Sequence, residues 1–347
     1  LVVVTMMEHH SNLIPWMEAV GHHNLRAVRV DPATGALDLS DLARVLETEG
    51  RRVRLVAVTG VSNVTGIVNP VHRIAAMAHA VGAQILVDGA QWVPHARVEM
   101  HGAEPGDSLD YLVLSGHKLY APGSRGALIG SLETLSGRRC VTDVGGGMVE
   151  YVSINDFEIK DDVAAREEAG TPNIPGSIAM GLVAETLLRI GMDLVAEREH
   201  RLTEALVRRL ERVPKIHIYG STDLDAVPRA GVVSFNIEGL RHGLVAAYLN
   251  DFHDIAVREG CFCAHPYVKA LIGVDDQTVE SYRQEMLCGD RRNVPGMVRA
   301  SLGVYSTADD VEALGAALER LVGRADEMAA RYRSGLDGTF RLADAAE

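Results

Sequence analysis

The sequence predicts an α/β fold in which a mainly parallel sheet is flanked by helices, followed by a smaller C-terminal α+β part. The first observation is that short, apolar, β-branched runs alternate with helical segments through the first half of the chain. Such alternation is typical of a parallel sheet that is covered on both faces. The second observation is that several of these runs end in single polar or charged residues. Ligands bind at such strand ends in parallel sheets, so a site is expected there.

The first half of the chain contains six runs with the composition of strands. They lie at residues 1–5, 24–30 and 53–59, around residues 86 and 114, and at 123–130. Between them, Ser40 is a suitable N-cap for a helix over residues 41–49. Pro70 suits the first turn of a helix that ends near Ala80. Residues 1–190 are therefore predicted to form a large α/β domain.

The second half is predicted to carry a connecting helix and a small α+β domain. A glycine-rich loop at 145–147 precedes a long helical stretch over residues 177–213, which Gly191 is expected to break. The predicted units are a connecting helix at 191–215, a small domain at 216–333 and a loose tail at 334–347. In the small domain, strands are predicted near 216–219, 232–237, 255–258 and 298–304, and helices near 243–250 and 308–332. Because Leu1 opens inside a strand, we expect the N-terminal part of the large domain to be missing.

Composition excludes several classes of function. The chain has 347 residues, of which 47% are hydrophobic and 23% charged, as in ordinary globular proteins. Its net charge of −13 argues against nucleic acid and anionic membranes as partners, and no apolar run is long enough to span a bilayer. Four cysteines in a chain of this length do not form a disulfide framework, so a cytoplasmic location is expected. These cysteines are Cys140, Cys261, Cys263 and Cys288.

Four polar side chains follow four predicted strands of the large domain. They are His9, Asn63, Asp88 and Lys118. The carboxyl ends of parallel strands meet at one edge of a sheet, so these side chains are expected to share a ligand site. Solvated loop residues are the alternative interpretation, and a lysine in a loop commonly extends its amine to water.

The pairing of Asp88 with Lys118 suggests a particular cofactor. A buried lysine amine can condense with an aldehyde once it is deprotonated, but a nearby carboxylate opposes deprotonation. Pyridoxal phosphate resolves this conflict, because the lysine forms the Schiff base while the aspartate pairs with the pyridinium nitrogen at the far edge of the ring. Spacing alone does not single out this cofactor, since many α/β enzymes carry aspartate and lysine at strand ends.

Four motifs, in order along the chain, carry a resemblance to a known family. They are Glu-His-His-Ser-Asn-x-x-Pro-Trp at residues 8–16, Val-Ser-Asn-Val-Thr-Gly at 61–66, Val-Asp-Gly-Ala-Gln at 87–91 and Ser-Gly-His-Lys-Leu-Tyr-Ala-Pro at 115–122. Together they resemble the class-V, fold-type-I pyridoxal phosphate enzymes, and most closely the cysteine desulfurase and selenocysteine lyase branch. The similarity extends to about Leu321.

The resemblance implies a role for each of several residues. Lys118 would form the Schiff base, Asp88 would bind the pyridine nitrogen and His9 would stack on the ring. Asn63 and Gln91 would reach the O3′ side of the ring, and Ser115 and His117 would bind the phosphate. Thr171, in Glu-Ala-Gly-Thr-Pro-Asn, would contact the phosphate of the neighbouring subunit in a homodimer. His10 is the alternative to His9, because adjacent residues on a strand point to opposite faces.

The C-terminal half is expected to determine the reaction. Arg299 resembles the arginine that binds the substrate carboxylate, and Arg258 is a further candidate for substrate binding. Cys263 lies where desulfurases carry the cysteine that removes the substrate's sulfur, which is then passed to an acceptor protein. Desulfurases commonly have two histidines where this chain has Cys261 and Phe262, and a longer insertion precedes Arg299.

Alternatives therefore remain beside desulfuration of cysteine. The chain could catalyse another class-V reaction, such as transamination, epimerisation or a non-sulfur lyase reaction, or it could be a truncated paralogue without activity. Either Cys261 or Cys263 could be the reactive thiol, and both could instead be packed core residues. If Cys261, Cys263 and His265 alternate on one strand, they could ligate zinc, but no fourth ligand and no Cys-x-x-Cys spacing is present, so no metal is predicted.

Overall fold

A six-stranded sheet forms the centre of the first half of the chain, as predicted. The computed structural model describes residues 1–136 and 144–343, so Cys140 lies outside the described residues. The strands are β1 (Val2–Thr5), β2 (Leu25–Val28), β3 (Leu55–Thr59), β4 (Gln84–Asp88), β5 (Tyr111–Ser115) and β6 (Gly126–Gly130). Their order across the sheet is β2-β1-β3-β4-β5-β6. The first five run parallel and β6 runs antiparallel to β5, so five carboxyl ends meet at one edge.

Three helices accompany these strands. They are α1 (Ile14–Val20), α2 (Leu39–Glu49) and α3 (Val71–Ala80). Short 3₁₀ helices lie at His10–Asn12, His22–Asn24 and Gly50–Arg52. The prediction of Ser40 as the cap of α2 is wrong, because the Asp38 carboxylate accepts hydrogen bonds from the backbone N–H groups of Ser40 and Asp41. A carboxylate at this position also interacts favourably with the positive end of the helix.

The segment after β6 contains a hairpin that the sequence did not suggest. Helix α4 (Leu132–Ser136) is followed by the antiparallel strands β7 (Val149–Val152) and β8 (Phe157–Ile159), and then by α5 (Val163–Glu167). The long helical stretch consists of α6 (Ile174–Ile190) and α7 (Met192–Leu210). The break at Gly191 is confirmed, and its φ of +96° is a conformation that glycine adopts without steric cost.

A second, antiparallel sheet follows in the C-terminal half. Its strands are β9 (Ile216–Ile218), β10 (Val232–Ile237), β11 (Arg258–Gly260) and β12 (Met297–Ser301). Their order across the sheet is β11-β12-β10-β9. Helix α8 (His242–His253) precedes β11. Two helices that were not predicted, α9 (His265–Ile272) and α10 (Asp276–Leu287), lie between β11 and β12. The strand expected at 255–258 begins three residues later.

The C-terminal residues that the structure describes, up to 343, are more ordered than predicted. The single helix expected over 308–332 is two helices, α11 (Ala308–Gly323) and α12 (Ala325–Arg331). The segment expected to be a loose tail instead enters a hairpin between β13 (Tyr332–Ser334) and β14 (Phe340–Leu342). Phe340 and Leu342 pack against the apolar core beneath the second sheet, which explains the order. In the part of the chain that is described, no helix is long and apolar enough to cross a membrane.

The largest hydrophobic core joins the two halves of the chain. It contains side chains from one face of strands β1 to β5 and also Phe262, Tyr267 and Leu271 from the segment after β11. The Tyr267 hydroxyl donates to the carbonyl of Gly35, deep in the first half. Packing of this C-terminal segment into the first core places the turn that carries Cys263 near the carboxyl ends of the parallel strands.

Candidate active site

A pocket of about 490 Å³ opens at the carboxyl ends of the parallel strands. Its volume is in the range of small-molecule sites. Seven of the residues predicted to form a site line it: His9, Asn63, Asp88, Gln91, Ser115, His117 and Lys118. They arrive from the ends of β1, β3, β4 and β5. The four strand-end residues that were expected to lie together, His9, Asn63, Asp88 and Lys118, do so because their strands are parallel neighbours.

Lys118 and Asp88 lie in this pocket close enough to interact electrostatically. Burial lowers the pKa of the Lys118 amine, the charge of Arg299 lowers it further, and Asp88 opposes both. Asp88 is buried, and its Oδ1 accepts a hydrogen bond of 2.9 Å from the N–H of Ala90. The lysine therefore deprotonates more readily than a lysine in water, which suits an amine that must condense with an aldehyde.

His9, rather than His10, lines the pocket. The expected reason, that adjacent residues on a strand point to opposite faces, does not apply, because neither residue is on a strand. Both residues follow β1 in a turn, where His9 caps the short 3₁₀ helix and its Nδ1 accepts from the N–H of Ser11 at 3.1 Å. The His10 ring points elsewhere and packs edge-on against His265, with ring centroids 4.7 Å apart. Burial and the nearby Lys118 charge lower the pKa of His9, which favours its neutral ring.

The expected phosphate-binding residues are divided between two places. The Ser115 hydroxyl and His117 Nδ1 lie 2.9 Å apart at the pocket wall, and His117 is exposed. Thr171 is not among the lining residues and is also exposed, three positions before the start of α6. A hydroxyl so placed is available to another molecule rather than to this pocket.

Asn63, Phe262 and Arg299 form a set of mutual contacts beside the pocket. Asn63 Nδ2 donates to the carbonyl of Phe262 at 2.8 Å, and Arg299 Nη1 donates to the carbonyl of Asn63 at 2.7 Å. Burial, together with the neighbouring Arg258, lowers the pKa of Arg299 to about 10, so the guanidinium stays charged at neutral pH. Arg258 is the cross-strand neighbour of Arg299 and is exposed.

The two cysteines of the β11–α9 turn have different environments. The Cys261 thiol is partly buried and donates to the carbonyl of Pro295 at 2.9 Å, and burial raises its pKa to about 11. Cys263 is exposed, has a φ of +54°, and is near enough to Lys118 to affect its titration. A thiolate is the nucleophilic form, so Cys261 is poorly suited to attack a substrate.

The zinc interpretation of Cys261, Cys263 and His265 fails on geometry. These residues do not alternate on a strand, because β11 ends at Gly260 and α9 begins at His265. Within residues 1–136 and 144–343, no three His, Cys, Asp or Glu side chains are grouped so that they could hold a metal ion. Burial, with contributions from His10 and Lys269, lowers the pKa of His265, so this ring is not a source of positive charge for Cys263 at neutral pH.

Glu8, Asn12 and Trp16 belong to the motif at residues 8–16, but the sequence analysis assigned them no role. Glu8 is fully buried beneath the pocket and accepts hydrogen bonds from the Thr5 hydroxyl, the Thr59 N–H and Asn12 Nδ2 at 2.6, 3.0 and 2.6 Å. Asn12 Oδ1 in turn accepts from Trp16 Nε1 at 3.1 Å, and both residues line the pocket. The available signal was a charged residue placed directly after the apolar Met6 and Met7.

Glu8 is expected to make stability depend on pH. Burial raises its pKa from 4.5 to about 8, so the folded protein retains a proton that the unfolded chain loses near pH 4.5. The free energy of unfolding should therefore fall by several kcal/mol (an order-of-magnitude figure) as pH rises from about 4.5 to about 8. Urea unfolding at a series of pH values measures this. Histidines also titrate in this pH range, but they are the same in wild type and Glu8→Gln, so the difference between the two proteins isolates the effect of Glu8. Equal slopes of the free energy of unfolding against pH in the two proteins would contradict the prediction.

Comparison with known proteins agrees with this architecture. The family model for aminotransferase class-V matches residues 1–314. The cysteine desulfurase of Serratia proteamaculans (strain 568) is 34% identical over 322 residues, which cover 92% of this chain and 70% of the relative. That of Dickeya dadantii (strain 3937) is 36% identical over 322 residues, covering 92% of this chain and 69% of the relative.

Solved structures give the same result. The apo cysteine desulfurase from Thermococcus onnurineus NA1 superposes with a TM-score of 0.76 at 32% identity, over 93% of this chain and 72% of that one. The cysteine desulfurase CsdA from Escherichia coli, in an S-sulfonic acid form, gives a TM-score of 0.72 at 27% identity, over 93% and 72% of the two chains. The predicted fold class is confirmed by these neighbours. The chain belongs to the class-V aminotransferase family, in which its relatives are cysteine desulfurases.

Proposed function

We propose that this chain is a pyridoxal phosphate-dependent cysteine desulfurase that converts L-cysteine to L-alanine and takes up the sulfur on Cys263. The observation that carries the proposal is the position of Cys263, an exposed thiol on the turn after β11, whose carbonyl accepts a 2.7 Å hydrogen bond from the N–H of His10, next to the pocket residue His9. Its relatives are named for this reaction. An exposed thiol can reach both a substrate in the pocket and an acceptor outside it.

The residues that line the pocket fit pyridoxal phosphate. Lys118 offers an amine with a lowered pKa, Asp88 offers a buried carboxylate for a pyridinium nitrogen, and His9 offers a flat ring. Asn63 and Gln91 would lie at the O3′ side of the ring, and Ser115 and His117 would hold the phosphate. When bound, the cofactor supplies an aldehyde that captures the substrate's amine and a ring that withdraws electrons from its Cα.

The protein's own residues would then move one proton and one sulfur atom. Arg299, assisted by Arg258, would bind the substrate carboxylate, and the Lys118 amine would take the Cα proton. The Cys263 thiolate would attack the substrate's sulfur, so that an S–S bond forms, the C–S bond breaks, and its electron pair stays on the substrate carbon. The Cα proton held by Lys118 and the proton lost by the Cys263 thiol would then complete L-alanine, one at Cα and one at the carbon that lost sulfur. The hydrogen of the substrate thiol would stay on the sulfur that Cys263 now carries as a persulfide.

Product analysis tests this proposal against the alternatives. With L-cysteine, added cofactor and an added thiol that reduces the persulfide and releases its outer sulfur as sulfide, equal amounts of alanine and sulfide are expected. A keto acid that retains the sulfur would instead indicate transamination, and D-cysteine would indicate racemisation. Pyruvate released together with ammonia would indicate a different lyase reaction. No product and no covalently bound cofactor would indicate a paralogue without activity. Selenocysteine, tested in parallel, distinguishes a desulfurase from a selenocysteine lyase.

We also propose that the chain acts as a homodimer through α6. Ile174, Ile178 and Leu182 recur every four residues and are 54%, 59% and 60% exposed, so they form an apolar stripe on one helix face. Thr171, just before this helix, would contact the phosphate of the neighbouring subunit. Sedimentation at low micromolar concentration should give twice the mass of one chain, and a monomer would contradict the proposal.

The free thiols Cys261, Cys263 and Cys288 support a cytoplasmic location, where a sulfur-acceptor protein would discharge Cys263.

A further inference from the structure

The turn that carries Cys263 has an unusual backbone conformation. Phe262 and Cys263 have successive φ values of +52° and +54°, in the left-handed region that residues other than glycine seldom adopt. Such a conformation persists only when its surroundings hold it in place. Here both carbonyls are bound, that of Phe262 by Asn63 Nδ2 at 2.8 Å and that of Cys263 by the N–H of His10 at 2.7 Å.

The Phe262 side chain is the third contact that holds this turn. Its ring is only 5% exposed and lies in the core beneath the six-stranded sheet. Because this ring points inward, the next side chain in the turn, Cys263, lies on the exposed side. The buried ring thereby determines the direction in which the thiol points.

The same ring also forms one wall of the site that holds the Arg299 guanidinium. The guanidinium carbon lies 5.1 Å from the ring centroid, within the range of a cation–π contact. Nη1 is engaged by the carbonyl of Asn63, while Nε is buried without a hydrogen-bond partner among the described residues. The orientation of the guanidinium therefore depends on the ring as well as on this one hydrogen bond.

We propose that Phe262 is a positioning residue for the substrate, holding the Arg299 guanidinium for the carboxylate and the Cys263 thiol for the sulfur of the same molecule. The inference rests on the proposed function, since it assigns these two groups to one bound amino acid. Phe262 does not line the cofactor pocket, so cofactor binding is not expected to depend on it.

A double-mutant cycle with L-alanine tests the role toward Arg299. Alanine carries the carboxylate but no sulfur, and its dissociation constant can be read from the absorbance of the bound cofactor. Phe262→Leu should raise this constant about tenfold, the upper range for loss of a partly buried cation–π contact. In an Arg299→Gln background, which leaves no cation for the ring to contact, the same change should have little further effect. The matched control is Phe252→Leu, because the ring of Phe252, on α8, makes a similar contact, with its centroid 5.0 Å from the guanidinium carbon of Arg331, and Phe252 does not line the pocket.

Single-turnover persulfide formation at saturating L-cysteine tests the role toward Cys263. The rate should fall in Phe262→Leu and stay close to wild type in Phe252→Leu, with cofactor content equal in all proteins. Additive effects of Phe262→Leu and Arg299→Gln on alanine binding, or an unchanged persulfide rate, would overturn the inference. A wild-type enzyme that binds alanine but forms no persulfide would instead overturn the proposed function, while the alanine cycle would still decide the role of Phe262.

Discussion

Lys118→Ala is expected to abolish both the covalent attachment of pyridoxal phosphate and all turnover of L-cysteine. The physical reason is that Lys118 is the amine whose pKa is lowered by burial in the pocket, and its Nζ is the group assigned to move the Cα proton. Borohydride reduction followed by mass measurement detects attachment, and alanine formation detects turnover. The wild type should gain the mass of the reduced cofactor, whereas the variant should not.

Lys118→Arg is the matched control for the charge at this position. Arginine keeps a cation near Asp88 but does not deprotonate in proteins, so it cannot condense with an aldehyde. It should hold the cofactor without a covalent bond and be as inactive as the alanine variant. Covalent cofactor in either variant would show that another amine carries it and would remove Lys118 from the proposed mechanism.

Cys263→Ser is expected to reduce persulfide formation to below detection, while Cys261→Ser should retain a rate close to that of wild type. The Cys261 thiol, with its pKa raised to about 11, is protonated at neutral pH and is engaged with the carbonyl of Pro295. A serine hydroxyl can donate the same hydrogen bond. Mass measurement of the enzyme after one turnover with L-cysteine detects the added sulfur on the wild type.

Cofactor content is the control in this pair of variants. Both serine variants should bind the cofactor as the wild type does, because neither cysteine lines the pocket. Loss of sulfur uptake in Cys261→Ser with uptake retained in Cys263→Ser would reverse the assignment. Loss in both, with cofactor bound, would indicate that the two thiols act together.

The pocket itself could be predicted because it depends on local patterns. His9, Asn63, Asp88 and Lys118 each follow an apolar run, and parallel strands bring their carboxyl ends together whatever the details of packing. The break at Gly191 was predictable for the same reason, since glycine interrupts a helix through its own backbone freedom. Such signals lie within a few residues of the feature that they predict.

The remaining features depended on contacts that no local pattern records. The hydrogen bonds from Asn63 to Phe262 and from Arg299 to Asn63 join residues 199 and 236 positions apart, and they exist only because the turn after β11 packs into the core of the first sheet. The same packing separates the two neighbouring thiols, burying Cys261 and exposing Cys263.

The α/β fold, the family and the residues at the strand ends could be recognised from the sequence, because periodicity and motifs act over short distances. The structure was needed to show that Cys263 rather than Cys261 is exposed, that Thr171 does not line this chain's own pocket, and that Glu8 is buried. Burial is set by what packs on a residue from distant parts of the chain. For that reason the pocket was predictable, and the arrangement of the groups proposed to handle sulfur was not.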